Sequence, residues 1–479
     1  MKNTLATTLI QHTSPAPGRK TGGSLVLTAL LLCGLVLVCG TAQAQSPKLV
    51  CHNYTDAWGT PAAVTSTTGT VSNAAAGYVV AAIVDEEGYL EVKAFQNNCN
   101  EVGHVHTEKP VAIGAPITAV AAADLDASQI VTAVVDQTGT LQLRTWAVGG
   151  TAGIAPLSDT YLSSQYTAIP VGTTPFLGIA AVSPTMVVAA YQDPDENFIL
   201  QQFNIPSGGV PAPVGKPLNL GGAISGLCSG APNPVTFGSA SQIAIATVSS
   251  SMLVTAVSDV NENMYVDVWF LGNDGTFGTG GQSCVPKIVN GTNPGLAIDA
   301  GFGWTTYKLG KYSFPEIQYY AVTPLVNTEE SFEVLYWNIS STGAISQTAR
   351  KTAPGISDGA YATTGTAAAM LPTGVPISAY LQQSGNNYDV NVGWYGYTGM
   401  SARSEINGDN GGGVYGVSAA EAGASFPDLY LGEGPGTAYF VTGTMTALGN
   451  LPPMVAGSSP ANEGIFQLSL WSYPVFLSF

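Results

Sequence analysis

The segment from residue 130 to residue 146 reads Ile130-Val-Thr-Ala-Val-Val-Asp136-Gln-Thr-Gly139-Thr-Leu141-Gln-Leu143-Arg-Thr-Trp146. Its first half is an apolar run rich in β-branched residues, which is typical of a strand buried on both faces. Asp136 suits the first position of a type I turn, and Gly139 suits the fourth, where positive φ is often needed. The residues after the turn begin with a period of two, which indicates a strand with one wetter face. The segment therefore predicts a β-hairpin whose first strand lies deeper than its second.

Variants of this hairpin recur along the chain, and each ends on an aromatic residue. The closing residues are Phe95, Trp146, Phe203, Trp269, Trp337, Trp394 and Trp471. The Asp-x-x-Gly turn is intact only in the first two copies. The copies that begin at Asp193 and Asp259 carry an asparagine one position later, Asn197 and Asn263. Because asparagine tolerates the left-handed conformation, we expect these two loops to be slightly longer.

Each hairpin is preceded by a short apolar run and followed by a turn and a further strand, which makes about four strands per copy. No stretch has a sustained 3.6-residue apolar period, so helix should be scarce. Seven such units over residues 45–479 resemble the β-propeller superfamily in general. The resemblance implies an all-β fold, a seven-bladed β-propeller with four-stranded antiparallel blades. The WD dipeptide, the Kelch glycine pairs and the Asp-box are absent, so the resemblance names no particular family.

Residues that follow Trp471 are too few for another strand. We expect the strand near Val50 to complete the last blade and to close the ring, which would remove exposed sheet edges. The alternating apolar residues of Trp471–Phe479 are also typical of the last strand of an outer-membrane protein, although Pro474 fits such a strand poorly.

The first 44 residues have the pattern of a signal peptide. Lys2, Arg19 and Lys20 precede an apolar run from Ser24 to Val38, and Ala42-Gln-Ala44 is a small-x-small cleavage site. We predict export to a secreted or extracytoplasmic location, in the periplasm or at the cell surface. An uncleaved signal anchor is the alternative, because the charged region is long.

Four cysteines follow the predicted cleavage site, and an even number in an exported chain predicts disulfides. Three pairings of four cysteines are possible. The local pairings, Cys51 with Cys99 and Cys228 with Cys284, are our prediction.

The chain carries 31 acidic residues against 14 Lys and Arg, a formal net charge of −17. A negative surface opposes binding to nucleic acid and to anionic membranes, since both need a basic face. We expect a monomer that is not associated with a membrane after signal cleavage.

Two groups of residues are candidate metal ligands. On an extended segment His104 and His106 would point to one face, as in a zinc or copper site, but spacing places no third ligand. Asp124 and Asp126, like the turns at Asp193 and Asp259, offer alternating oxygens for Ca²⁺, but the glycine and distal glutamate of a calcium loop are missing. Surface histidines and turn chemistry are the simpler interpretations, so we predict neither a metal nor another cofactor.

Few side chains suit catalysis. A serine hydrolase would need a Gly-x-Ser-x-Gly elbow and a nearby base, and a sialidase would need clustered arginines. We therefore predict a non-catalytic recognition or scaffolding module that binds a glycan or cell-surface ligand at a loop face or the channel mouth. The alternative is a carbohydrate-active hydrolase or lyase with an Asp/Glu pair near the channel, because such pairs leave no spacing signal.

Overall fold

The computed structural model of the chain describes residues 48–58, 62–66, 77–84, 88–96, 98–106, 117–136, 138–159, 161–162, 177–193, 197–207, 209–220, 240–259, 261–290, 295–309, 312–352, 363–371, 376–384, 387–396, 399–408, 414–425, 434–447 and 463–477. The chain divides into two compact units, Met1–Ala44 and Gln45–Phe479. The predicted signal peptide lies outside the described residues. Within them, no helix is both long enough and apolar enough to span a membrane.

The regular structure of the described residues is β-strand. The strand bounds are β1 Lys48–Trp58, β2 Ala62–Ser66, β3 Val79–Val84, β4 Leu90–Phe95, β5 Glu101–His106, β6 Ile117–Asp126, β7 Gln129–Asp136, β8 Leu141–Val148, β9 Ile154–Pro156, β10 Tyr161–Leu162, β11 Leu177–Ser183, β12 Met186–Gln192, β13 Phe198–Asn204, β14 Ala212–Asn219, β15 Ala240–Ser249, β16 Met252–Asp259, β17 Met264–Leu271, β18 Phe277–Val285, β19 Asp299–Leu309, β20 Tyr312–Val326, β21 Phe332–Ile339, β22 Ile345–Thr352, β23 Thr363–Met370, β24 Pro376–Ser384, β25 Asn387–Gly396, β26 Gly399–Gly408, β27 Val414–Ser425, β28 Gly434–Ala447 and β29 Glu463–Leu477.

These strands form antiparallel sheets, numbered here in chain order. Sheet I contains β2–β5, sheet II β6–β10, sheet III β11–β14, sheet IV β15–β18, sheet V β19–β22, sheet VI β23–β26, and sheet VII β27–β29 with β1. Each is four-stranded except sheet II, where the short strands β9 and β10 both pair with β8. Four strands per unit is the number that the repeats predict.

The core lies between the sheets. Buried apolar clusters join sheets I and II, II and III, III and IV, IV and V, and V and VI. A further cluster joins sheet I to sheet VII through Val79, Phe95, Leu468 and Leu470. The first strand of each sheet contacts the first strand of the next, and β27 contacts β2. Sheets that pack face to face around a shared axis define a β-propeller.

The N-terminal strand closes this arrangement as expected. Strand β1 pairs with β29 over its length, from Lys48 opposite Ser472 to Trp58 opposite Glu463. The predicted Cys51–Cys99 disulfide is confirmed, with a Cα–Cα distance of 5.9 Å. It joins β1 of sheet VII to the β4–β5 turn of sheet I. Cys228 lies outside the described residues, so the pairing of Cys228 with Cys284 stays a prediction.

The turn chemistry of the hairpin follows from the acid that begins it. The Oδ1 atom of Asp136 accepts the backbone N–H groups of Thr138 at 2.9 Å and Thr140 at 3.0 Å. Gly139 takes the left-handed conformation with φ of 80° and donates to the carbonyl of Asp136. The side chain thus satisfies two amides of the turn, so the turn is fixed by local sequence.

The expectation of longer loops at Asp193 and Asp259 is wrong. The backbone N–H of Asp259 bonds to the carbonyl of Asn263 at 3.0 Å, as that of Asp136 bonds to Thr140. The same bond joins Asp193 to Asn197. Glu262 takes the left-handed conformation itself, with φ of 67°, so no extra residue is needed.

The expectation of a wetter second strand is also wrong. Strand β8 is buried along both faces, with only Arg144 and Ala147 partly exposed. Its polar residues are satisfied inside the protein: Gln142 donates to Asp136 at 3.3 Å and the Thr145 hydroxyl donates to Ser158 at 2.9 Å. Neighbouring sheets cover both faces, so the alternation marks internal hydrogen bonds rather than solvent.

Candidate functional site

The closing aromatics all lie on the third strand of a sheet. Phe95, Trp146, Phe203, Trp269 and Trp337 are almost completely buried. Trp394 lies in β25 and Trp471 in β29, and their side chains are outside the described set. The five described side chains are therefore part of the core between sheets rather than of a binding site.

Where the aromatic is tryptophan, a threonine on the second strand accepts its indole N–H. The Nε1 atoms of Trp146, Trp269 and Trp337 each donate to a threonine hydroxyl at 2.9 Å, on Thr132, Thr255 and Thr323. The residues at the same place before Phe95 and Phe203 are Ala81 and Ala189. The pairing was visible in the sequence as a fixed spacing, and sequence reasoning missed it.

The histidine pair lies on the outer strand of sheet I. His104 and His106 are both exposed and face the same way, as predicted. His104 Nδ1 is 2.8 Å from Glu101 Oε1, and His106 packs edge-on against Tyr89. Glu108 lies outside the described residues. The described residues contain no group of three side chains that could hold a metal ion.

The acidic residues considered for calcium are used by the backbone. Asp126 Oδ1 accepts the N–H and the hydroxyl of Ser128, at 2.8 and 2.9 Å. Asp193 and Asp259 accept the amides of Asn197 and Asn263, as described for the hairpin turn. Their oxygens stabilise turns.

One end of the channel is lined by hydroxyl-bearing turns. The first and second strands of sheets II, III and IV are joined through the segments 126–129, 183–186 and 249–252. Because the sheets share one strand order, these turns lie at the same end of the channel, here called the turn end. Their serine and threonine side chains are exposed or half-exposed. The Ser183 and Thr185 hydroxyls are 3.3 Å apart, and Ser249 accepts the N–H of Ser251 at 3.4 Å.

In sheet V the first two strands continue past the position at which the first two strands of sheets II, III and IV turn. Strands β19 and β20 continue as a two-stranded ladder from Asp299 opposite Val322 to Leu309 opposite Tyr312. This part, residues 299–322, is called the arm. Residues 303–314 are rich in aromatic residues, and β19 and β20 extend as paired strands in this part of the chain. Phe302 and Ile317, on the arm, are two of the four exposed large apolar side chains among the described residues.

Asp299 lies at the base of the arm, on the channel wall. Its carboxylate accepts the N–H of Ala300 at 2.8 Å and that of Met370, in sheet VI, at 2.5 Å. Burial raises the pKa of Asp299 to about 7, against the opposing effect of those two amides, and the charge of Asp124 raises it further. Asp124 and Asp299 therefore share the channel, which the sequence spacing did not indicate.

A second acid with a raised pKa lies away from the channel. Asp267 is on β17, 1% exposed, and faces the core between sheets III and IV. In the described part of the chain neither carboxylate oxygen has a hydrogen-bond partner. Burial raises the pKa of Asp267 to about 7, and the side chain of Gln282 opposes the shift.

By its fold the chain is a β-propeller, and the open features of its described residues are the hydroxyl turns and the arm at the turn end. No protein-family model matches the chain, and no curated protein matches it.

Several solved structures resemble the chain at low identity. The BP39L lectin of Burkholderia pseudomallei is 13% identical over 87% of this chain and 99% of its own, with a TM-score of 0.45. AofleA of Arthrobotrys oligospora is 12% identical over 73% and 88%, with a TM-score of 0.36. Aleuria aurantia lectin, described as a six-bladed β-propeller with a novel fucose recognition mode, is 12% identical over 72% and 94%, with a TM-score of 0.38. At these values we assign this chain neither a family nor a ligand.

Proposed function

We propose that this protein is an exported, non-catalytic β-propeller of seven blades that binds carbohydrate at the turn end of its channel. The seven sheets of the described residues and the contact of β27 with β2 support the blade count. Pairing of β1 with β29 leaves the last sheet joined to the first. The proposed protein is a monomer, because a ring that pairs its own ends needs no strand from a second copy to complete a sheet.

The observation that carries the binding function is the composition of the turn end. Three adjacent sheets present serine and threonine hydroxyls there, and the arm beside them presents exposed apolar side chains. Sugars offer many hydroxyls and one apolar ring face, so a ligand site for them combines short polar side chains with a flat apolar wall.

Export rests on the predicted signal peptide and on the disulfide. The Cys51–Cys99 bond joins the first strand to sheet I. Disulfides of this kind persist in oxidising compartments outside the cytosol.

The test is a glycan array probed with the full secreted chain under oxidising conditions. We expect binding to a defined subset of glycans, with the same glycans recovered intact after long incubation. Methyl α-fucoside, the ligand bound to the SapL1 lectin in a structure that resembles this chain, is a suitable first monosaccharide. No binding to any glycan on the array would reject the carbohydrate function.

One observation favours the hydrolase or lyase as a second candidate. Asp299 has a pKa of about 7 and shares the channel with Asp124, so one carboxyl could hold a proton while the other is ionised. Both oxygens of Asp299, however, accept backbone amides, which holds the group in the channel wall. Turnover of an array glycan by the wild type, lost in Asp299→Asn, would establish the enzyme instead.

A further inference from the structure

The arm begins where the neighbouring sheet turns back. In sheet IV the partner of Trp269 is Leu253, which pairs with Thr247, and the turn follows Ser249. In sheet V the partner of Trp337 is Ala321, which pairs with Ala300. Phe302 in sheet V therefore occupies the level of Ser249 in sheet IV, and the rest of the arm rises past the Ser249–Ser251 turn.

The arm turns an open apolar face toward that turn. Phe302 pairs with Tyr319, and Ile317, two residues before Tyr319 on β20, lies on the same face. Tyr319 packs against the core between sheets IV and V, so this face is the one toward sheet IV. Phe302 is 48% exposed and Ile317 is 44% exposed. On the other face, a Cβ at Gly301 would lie 2.6 Å from Met370, so the base of the arm is in close contact with sheet VI there.

The apolar surface of this face that the described residues form fits a small ligand. A half-exposed phenylalanine and isoleucine together offer on the order of 200 Å² of apolar surface. A stable protein interface needs about 800 Å² from each partner. One sugar ring matches the smaller area, and its hydroxyls could then form hydrogen bonds with the serine side chains of the turn.

The charge of the surroundings favours a neutral sugar. Ser249, Ser250 and Ser251 are uncharged, and Asp299 is the described acid at the base of the arm. Lys308 is the basic residue of the described part of the arm, about 20 Å along the strand from Phe302 at 3.3 Å per residue. Glu316, beside Ile317 on β20, is acidic. The protein as a whole is acidic, with a net charge of −17, which repels anionic sugars.

We propose that Phe302 and Ile317 stack on the apolar face of one neutral pyranose ring, whose hydroxyls bond to the Ser249–Ser251 turn. This inference rests on the proposed carbohydrate function and names the ligand class and the site.

The test compares four variants on the neutral and anionic glycans of one array, followed by titration of the best neutral glycan. Phe302→Ala should weaken binding about tenfold or more, the equivalent of about 1.4 kcal/mol. Phe302→Tyr keeps the ring and should retain binding, and Ser250→Ala should weaken it less than Phe302→Ala. Val210→Ala is the matched control, because Val210 is 40% exposed and lies between β13 and β14, away from the arm.

The outcomes separate this site from the general function. Glycan binding that Phe302→Ala leaves unchanged would overturn the site while the carbohydrate function stands. Preference for anionic glycans, or binding that weakens with added salt, would overturn the neutral ligand class. Absence of glycan binding by the wild type would remove both proposals. Equal melting temperatures of the variants would show that any loss is local.

Discussion

Sheets IV and V are neighbours built on the same hairpin, yet the buried carboxyl groups on their third strands have different surroundings. In sheet IV, Asp267 is opposite Thr255 in the β16–β17 register and is buried without a hydrogen-bond partner in the described residues. In sheet V, Leu335 is opposite Thr323 at the equivalent place. The charge in sheet V is two residues earlier, at Glu333, which is 0% exposed and paired with Arg350 through two guanidinium nitrogens.

The difference shows two ways of keeping a carboxyl group between blades. Glu333 is paired with a cation whose side chain is 52% exposed, whereas burial raises the pKa of Asp267 to about 7, so Asp267 is mostly uncharged below neutral pH. The first way stabilises by pairing, and the second makes stability depend on pH.

The largest loss of stability should come from removing the buried tryptophan that each of the two sheets has on its third strand. Trp269→Ala and Trp337→Ala each remove a fully buried indole and should lower the free energy of unfolding by about 3–5 kcal/mol. Denaturant unfolding measures the loss, and Phe302→Ala, an exposed aromatic, is the control expected to change stability little. A loss below about 1 kcal/mol in either tryptophan variant would contradict the packing described here.

Removing the cation of sheet V should have the next largest effect. Arg350→Ala leaves the carboxylate of Glu333 buried without its partner, and we expect a loss of about 2–3 kcal/mol. This is less than the 3–5 kcal/mol of a fully buried pair, because Arg350 is half-exposed. The loss should shrink in a Glu333→Gln background, in which no charge is buried. An unchanged loss in that background would show that Arg350 acts through packing alone.

Sheet IV should show a pH dependence that comes from Asp267. The pKa of Asp267 is higher in the folded protein than in the unfolded chain, so its favourable contribution is complete below about pH 4 and is lost as the pH rises to about 7. The stability of Asp267→Asn relative to the wild type should therefore rise between about pH 4 and about pH 7. Above that range, at pH 8, the gain should be complete, at about 1–3 kcal/mol. Thermal unfolding of both proteins across this range measures the difference. A constant difference from pH 4 to pH 8 would show that Asp267 does not titrate there.

The same pH series has a control in the channel. Asp299 also has a raised pKa of about 7. The stability of Asp299→Asn relative to the wild type should therefore also rise with pH. That variant keeps an acceptor for only one of the two amides, of Ala300 and Met370, that bond to the two oxygens of Asp299, so it also has a pH-independent loss of stability. Additive pH effects of the two variants would show that the two acids titrate independently.

The smallest effect should come from the hydroxyl that accepts the indole. Thr255→Ala leaves the Nε1 of Trp269 buried without an acceptor and should cost about 1–2 kcal/mol. In a Trp269→Phe background, which copies the Phe203 and Ala189 pair of sheet III, the same change should cost less. A double-mutant cycle measures the coupling between the two residues. No coupling would mean that Thr255 affects stability through something other than its hydrogen bond to Trp269.

Much of the fold followed from the sequence. The turn at Asp136 was read correctly because its acceptor, its amides and Gly139 lie within five residues of one another. The four-strand unit and the pairing of β1 with β29 followed from repeating that unit along the chain. The Cys51–Cys99 bond followed from the choice of local cysteine pairs in a chain predicted to be exported. The candidate site was not found from the sequence, because the position of the arm beside the Ser249–Ser251 turn depends on how sheets IV and V pack.

The sequence by itself determined the elements that depend on near neighbours along the chain: the hairpins, their repetition and the left-handed glycine of the Asp136 turn. The tertiary structure alone decided which polar residues are buried, because that depends on the sheet packed opposite. The alternating pattern predicted that Gln142 faces solvent, but sheets I and III cover β8. The residues around Asp267 gave no sign of its burial, which results from the packing of sheet III on β17. The pairing of Glu333 with Arg350 joins residues on two strands, and the raised pKa of Asp299 results from burial and from the charge of Asp124 in another sheet. Burial and electrostatic fields are sums over distant parts of a chain, whereas turn and strand preferences are properties of a few consecutive residues.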